Sequence, residues 1–296
     1  MTNLNFVGRK FIWFGLSAMV IAIGLAAIFI QGLSFGIEFK GGALFEVKFA
    51  KSVTTGKVRQ AIEPLGFADA VIQRGGNRKT IFVRTEELDS KREGEVKAAL
   101  EELGAKDFII QEVGASWGER LTEGTLMALV IAIAIVLVFV ALRFEFKMGA
   151  AAVVALSHDV LIAIGIYALV GRPVTTATVA AFLTIMGYSI YDTIVIFDRV
   201  RENSSSFKSK KTYSDMVNES VNQSLRRSIS TSLTSIIPVV TILIIGGETL
   251  KDFAFALLIG LMAGTYSSIF IASPFLAMLK EREPKYAALR RKLESQ

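Results

Sequence analysis

The sequence predicts a helical membrane protein with six transmembrane helices and one α+β domain inserted between the first and the second. Three observations carry that prediction. The 296 residues are 52% hydrophobic. The apolar residues fall in blocks long enough to cross a bilayer, which takes about 20 residues of helix. Between the first and second blocks the apolar period shortens from that of a helix to that of a strand.

The first block runs from Phe11 to Ile30, with no small-residue cleavage signal of the A-x-A kind after it, so it reads as a retained helix. The second, Gly124 to Leu142, carries no charge. The third, Gly149 to Val170, contains His158 and Asp159. The fourth, Ala177 to Phe197, contains Asp192. The fifth, Ile229 to Ile245, opens with hydroxyl residues, within the hydroxyl-rich stretch Ser228 to Ser235. The sixth, Phe253 to Leu279, is spotted with glycine. The expected organisation is an N-terminus and first helix over 1–30, an inserted domain over 31–123, helices two to six over 124–279, and a tail over 280–296. There is no cysteine, which excludes a disulfide framework and thiolate chemistry.

The net charge of +6 is a topology signal, not a nucleic-acid signal. Arg9 and Lys10, Arg143 and Lys147, the basic residues between Arg199 and Arg227, and the tail from Lys280 to Lys292 all fall on one side of the predicted membrane. The opposite short loops hold only Arg172 and Lys251. Basic loops stay in the cytoplasm, so both termini are expected there and residues 31–123 outside, in the periplasm of an inner-membrane protein. Within that segment, Ala43–Phe49 alternates as a strand, Thr54–Pro64 reads as a capped helix, and Val71–Arg74 and Thr80–Arg84 read as strands joined through Gly75-Gly76-Asn77. Asp89–Leu103 reads as a second helix closed by Gly104, and Phe108–Val113 as a last strand. The order βαββαβ is ferredoxin-like. No nucleophile triad, metal cluster or phosphate loop stands there, so the chain reads as a non-enzyme without a cofactor.

Chemistry is expected inside the membrane. Asp192 lies about 9 Å inside the helix end marked by Asp198, at 1.5 Å per residue. A carboxylate there costs several kcal/mol unless it is paired, hydrated or protonated. Its two roles are a protonatable site and a hydrogen-bonding glue between helices. Ser189 stands on the same helix face, three positions earlier. His158 and Asp159 are adjacent, point about 100° apart and are expected to meet different partners; histidine is the side chain best suited to change charge near neutral pH. Arg227 either snorkels to the interface or pairs with a membrane acid. Gly260 and Gly264 form G-x-x-x-G, which with Gly187 favours close helix packing. Gly41 and Gly42 suggest backbone at positive φ or in close approach.

Several stretches resemble the SecF members of the SecD/SecF protein-export family, within the resistance–nodulation–division superfamily. Gly36-Ile37-Glu38-Phe39-Lys40-Gly41-Gly42 is similar to the family's G-[IV]-D-F-x-G-G, with Glu38 where Asp is usual. Gly187 to Asn203 is similar to GYSxNDTIVxFDRxREN, with Tyr191 where Asn is usual. Arg227 to Thr234, Gly246 to Ser273, and the Ala-Leu-Ser-His-Asp-Val stretch from Ala155 also fit. The resemblance implies a six-helix SecD partner and the SecYEG translocon. It also implies a translocating preprotein as cargo, and protons as the coupling ion. By the motif match Asp192 takes the membrane carboxylate role and Arg227 that of the helix-five arginine; His158, Asp159 and Ser189 extend the path. Gly36, Glu38, Gly41 and Gly42 form the base that joins the external domain to the membrane, with Glu38 making a polar contact there. The alternative is half of a proton-driven exporter of small molecules or lipids. A reporter fused near Asn77 is expected to report an external location; a cytoplasmic signal would overturn the orientation.

Overall fold

A computed structural model describes residues 4–75, 79–205 and 211–294. It divides the chain into two compact units, one of 1–34, 129–172 and 177–296, the other of 35–128 and 173–176.

Among the described residues, six helices are long and apolar enough to span a membrane: Lys10–Gln31, Ser116–Arg143, Phe146–Val170, Thr176–Ser205, Tyr213–Ile245 and Leu250–Glu281. They belong to α1 (Lys10–Gln31), α5 (Ala115–Arg143), α6 (Phe146–Val170), α7 (Thr176–Ser205), α8 (Tyr213–Ile245), and to α9 (Glu248–Ser267) continued by α10 (Ser273–Glu281). The helix ends differ from those expected. α7 runs on to Ser205, and α8 starts at Tyr213, well before the apolar block at Ile229. That start is set by a capping box: Thr212 Oγ1 accepts from Asp215 N at 3.1 Å, and Asp215 Oδ2 accepts from Thr212 N at 3.1 Å. Between α9 and α10 the chain makes one π-helical turn, Ser268–Ala272, a wide turn of the kind found at functional sites.

The helices meet through small residues. A Cβ at Gly24 of α1 would lie 2.7 Å from Gly165 Cα of α6, and one at Gly165 would lie 2.8 Å from Gly24 Cα, so the two backbones touch without intervening side chains. Gly260 packs on Ile185, and Gly264 sits against Ser189, where a Cβ would be 3.2 Å from Ser189 Cβ. Gly187 makes no such contact: it is exposed, and a Cβ there would meet nothing within 4 Å among the described residues. The packing role expected of it is corrected accordingly, because it lies on the outer face of α7.

At the end of the bundle where α6 begins, ion pairs tie α6 to α10 and to the start of α11 (Pro284–Glu294). Lys147 Nζ stands 2.9 Å from Glu283, and Lys280 Nζ 2.7 Å from Glu145 and 3.4 Å from Glu283. The hydrogen bond from Lys147, reinforced by the charge of Lys280, holds the Glu283 carboxyl below the usual carboxylate range.

The second unit follows the order α2 (Ile37–Lys40), β1 (Gly42–Phe49), α3 (Thr55–Ile62), β2 (Val71–Arg74), β3 (Thr80–Thr85), α4 (Ser90–Glu102), β4 (Ala105–Val113). Its sheet is antiparallel in the order β2-β3-β1-β4. Phe45 and Val47 of β1 and Ile81 and Val83 of β3 alternate inward onto Val58 and Ile62 of α3 and Val96 and Leu100 of α4, the period-two pattern of a sheet with one covered face. Of the Gly75-Gly76-Asn77 connection, Gly76 and Asn77 lie outside the described residues; Gly75 N donates to Thr80 O at 2.9 Å.

Two predictions follow from these contacts. Gly42 has φ +119, and a Cβ there would overlap the Thr85 carbonyl, so Gly42→Val is expected to cost about 2 kcal/mol or more. The cost should appear as faster hydrogen exchange across β1 and β3; unchanged exchange would contradict it. For Glu283 the sign follows from its lowered value: a carboxylate depressed in the folded state contributes stability at neutral pH that is lost as the pH falls through that value. Protection of α11 should fall on acidification below the usual carboxylate range, and Glu283→Gln should be weaker at neutral pH and lack that acid step.

Candidate polar centres in the helix bundle

Two helices, α6 and α7, bring the intramembrane acids Asp159 and Asp192 to the bundle interior, in two separate centres. The first is built on α7 and α8. Asp192, 2% exposed, accepts a hydrogen bond from Ser228 Oγ to its Oδ1 at 2.7 Å. Its Oδ2 is buried and has no hydrogen-bond partner among the described residues. Ser228 is itself buried and leads a ladder of hydroxyls along α8: Ser232 Oγ donates to Ser228 O at 2.8 Å and lies 2.6 Å from Thr265 Oγ1 of α9.

Arg227 is adjacent to Ser228 but faces outward. Its Nη2 donates to the Tyr191 hydroxyl at 3.3 Å, and Tyr191 is 48% exposed. The guanidinium therefore bonds to Tyr191, not to Asp192. The partner of Asp192 is a serine that the sequence offers only as one hydroxyl among the six of Ser228–Ser235. Its helical position decides: Ser228 alone of that run is fully buried, with Ser232 one turn on at 3%.

The second centre joins α1, α6, α7 and α9. His158 and Asp159 bond to each other, Nδ1 to Oδ1 at 2.9 Å, although their Cβ atoms diverge around the helix. Asp159 Oδ2 accepts from Ser189 Oγ of α7 at 2.5 Å and from Ser267 Oγ of α9 at 2.8 Å. Ser189 thus serves Asp159, not Asp192. The π-helical turn begins directly after Ser267, and its first residue, Ser268, lies 2.9 Å by Oγ from Thr193 Oγ1 of α7. The lack of a Cβ at Gly264, whose ideal Cβ would fall 3.6 Å from Asp159 Oδ2, leaves room for these bonds.

On its other side His158 Nε2 lies 3.0 Å from Ser17 Oγ of α1. Ser17 Oγ is also 3.3 Å from the Tyr266 hydroxyl, which donates to Trp13 O at 3.1 Å. A serine hydroxyl has one hydrogen. With His158 neutral and its proton on Nδ1, Ser17 donates to Nε2. With both ring nitrogens protonated, Ser17 accepts from Nε2 and turns its hydrogen to Tyr266. The same heavy-atom positions therefore hold either protonation state of the imidazole. Ser17 was not among the expected site residues; the signal for it is a lone hydroxyl inside the apolar run of α1.

The segment after α1 is held within the second unit. Phe35 forms a parallel bridge with Val174, and Gly36 N donates to Val174 O at 2.9 Å. Gly41 and Gly42 both have positive φ, +74 and +119. The Glu38 carboxylate lies over Gly36, in the space a Cβ would take, and Glu38 has no hydrogen-bond partner among the described residues. The polar contact expected of Glu38 is replaced by this close approach to a glycine. The start of α5 packs on the same turn: a Cβ at Gly118 would lie 2.9 Å from Phe39 O and 3.0 Å from Gly41 N.

Residues 95–282 match the family described as protein export membrane protein SecD/SecF, C-terminal, and residues 26–53 match the SecD/SecF GG motif, which spans Gly41 and Gly42. The protein translocase subunit SecF of Streptomyces coelicolor is 36% identical over 98% of this chain and 80% of its own length. That of Thermodesulfovibrio yellowstonii is 38% identical over 94% and 95%. The crystal structure of SecDF, a translocon-associated membrane protein from Thermus thermophilus, is similar with a TM-score of 0.87 and 33% identity over 94% of this chain. SecDF in its super-membrane-facing form gives a TM-score of 0.71 over 97%. The chain spans 39% and 40% of those longer SecDF chains. With a family match over more than half its length and near-full-length relatives, this multi-pass membrane protein belongs to the SecD/SecF family of protein-export membrane proteins.

Proposed function

We propose that this chain is the SecF half of a SecD–SecF pair, an auxiliary subunit of the Sec protein-export machinery. On this reading it assists late translocation of preproteins with the SecYEG channel and is driven by the proton motive force. It makes and breaks no covalent bond in its cargo, and protons are its coupling ion. Relatives named protein translocase subunit SecF support the export role. The basic residues clustered at one end of the helices support an inner-membrane orientation with both termini cytoplasmic. The sheet order β2-β3-β1-β4 with both helices on one face supports reading the second unit as a ferredoxin-like domain, placed by that orientation in the periplasm.

The observation that carries proton coupling is Asp192. A carboxylate inside a membrane span is a functional site by default, and this one is held by a single hydroxyl bond, with its second oxygen unpartnered among the described residues. Oδ1, fixed by Ser228, sets the orientation of the group. Oδ2 is the atom that takes and releases the proton. The His158–Asp159 centre, one turn away along α7 through Ser189, carries the path toward α1. Since α1 leads into the Gly41–Gly42 turn, a change at His158 has a covalent route to the external domain. Arg227, bonded to Tyr191, stands at the outer edge of the first centre, within reach of a partner subunit.

Asp192→Asn keeps the shape and the Ser228 bond but cannot titrate. Reconstituted with SecD and SecYEG, it is expected to assemble normally and to lose the part of preprotein translocation that depends on the proton motive force, tenfold or more. Wild-type translocation and proton flux by that variant would reduce Asp192 to helix glue.

A further inference from the structure

The lipid-facing side of the bundle holds a groove that the transport reading does not use. It lies between α1, α6 and α9, has a volume of about 340 Å³, and is lined by Leu16 and Ser17, Ile162 and Ile166, and Ala263 and Tyr266. The size is at the lower end for small-molecule sites, about 300–1,000 Å³. Its lining is apolar in effect. Ser17 Oγ is already engaged with His158 and Tyr266, and the Tyr266 hydroxyl is engaged with Trp13 O. A ligand that entered would find no free hydrogen-bonding group, so the chemistry it fits is saturated hydrocarbon.

Charge at the end of the same helix names the rest of the ligand. Arg9 precedes Leu16 by seven residues, and Lys10 precedes Ser17 by seven. Seven residues are two turns, so Lys10, the first residue of α1, stands in line with Ser17 about 10 Å along the axis, with Arg9 beside it at the N-cap position. Neither has a carboxylate partner among the described residues; Lys10 only approaches the Phe11 ring, at 5.7 Å from its centroid. Half of a hydrocarbon core is about 15 Å thick. A headgroup at Arg9 and Lys10 therefore puts the distal part of its acyl chain at the depth of the groove. A docked helix would instead need an apolar face along its whole length, whereas this groove spans roughly two turns.

We infer that the face of α1, α6 and α9 is a binding site for one anionic phospholipid, with its phosphate on Arg9 and Lys10 and its acyl chain between Ile162, Ile166 and Ala263. The site does not depend on the proton-coupling reading. It also places hydrocarbon against Ser17 and Tyr266, the two side chains next to His158.

Native mass spectrometry of the purified full chain, in micelles with equal amounts of dioleoyl phosphatidylglycerol and dioleoyl phosphatidylcholine, tests it. The wild type should retain one phosphatidylglycerol, favoured at least fivefold over phosphatidylcholine. Arg9→Gln with Lys10→Gln should bring that ratio near one. Ala263→Phe, which fills the groove, should lose retention of both lipids; if that variant does not fold, Leu16→Trp, at a half-exposed position, takes its place. Equal retention of the two lipids by the wild type, an unchanged ratio in the double variant, or full retention by the folded groove-filled variant would each overturn the site. So would loss of the lipid on adding the six-helix partner subunit, which would assign the groove to a partner helix.

Discussion

Hydrocarbon offers no hydrogen bonds, so each polar atom within the bundle has to be satisfied by another helix or held for a purpose. That constraint organises the interior. Asp159 has hydroxyls from two helices on one oxygen and an imidazole on the other. Asp192 has one hydroxyl and one unpartnered oxygen. The two acids lie on different helices, α6 and α7, and they differ in satisfaction: both oxygens of Asp159 are engaged, and one oxygen of Asp192 is unpartnered among the described residues, which is the difference the proposed proton role of Asp192 rests on.

Close backbone approach makes this possible. Gly264 lets α9 come near enough for Ser267 to reach Asp159, and the π-helical turn that follows puts Ser268 against Thr193. Gly24 and Gly165 bring α1 onto α6, which is what allows Ser17 to reach His158. Interhelical hydrogen bonds in membranes contribute only about 0.6 kcal/mol each on average. Packing around these small residues therefore holds the helices, and the hydroxyls set register and proton positions. The turn after α1 uses glycine differently: Gly41 and Gly42 bend the chain at positive φ into β1, and Gly36 leaves its Cβ space to Glu38.

Six apolar blocks and the strand alternation between the first two were legible in the sequence because hydropathy and period are local properties. Helix ends were less so. The apolar block at Ile229 marks where α8 becomes hydrophobic, not where it begins; Thr212 and Asp215 mark the start, and a hydropathy window passes over them. At the candidate site the residue types were legible and the pairings were not. Ser189 shares a helix face with Asp192 yet bonds to Asp159, because the approach of α6 and α9 decides which acid it meets. His158 and Asp159, expected to part by their helical angle, bond to each other because two side-chain torsions can close that angle. Ser17 carried little signal alone, since one serine in an apolar helix acquires a role only once a neighbouring helix presents a partner.

The central claim is that Asp192, held by Ser228 on one oxygen, changes protonation in the working protein. Infrared difference spectroscopy of the reconstituted SecD–SecF pair, recorded as the pH is stepped, reads this directly through the carboxylic acid C=O stretch. The account predicts a pH-dependent band that is absent in Asp192→Asn and shifted in frequency in Ser228→Ala, where the fixed hydrogen bond is gone. A spectrum identical in wild type and Asp192→Asn across the pH range would contradict it.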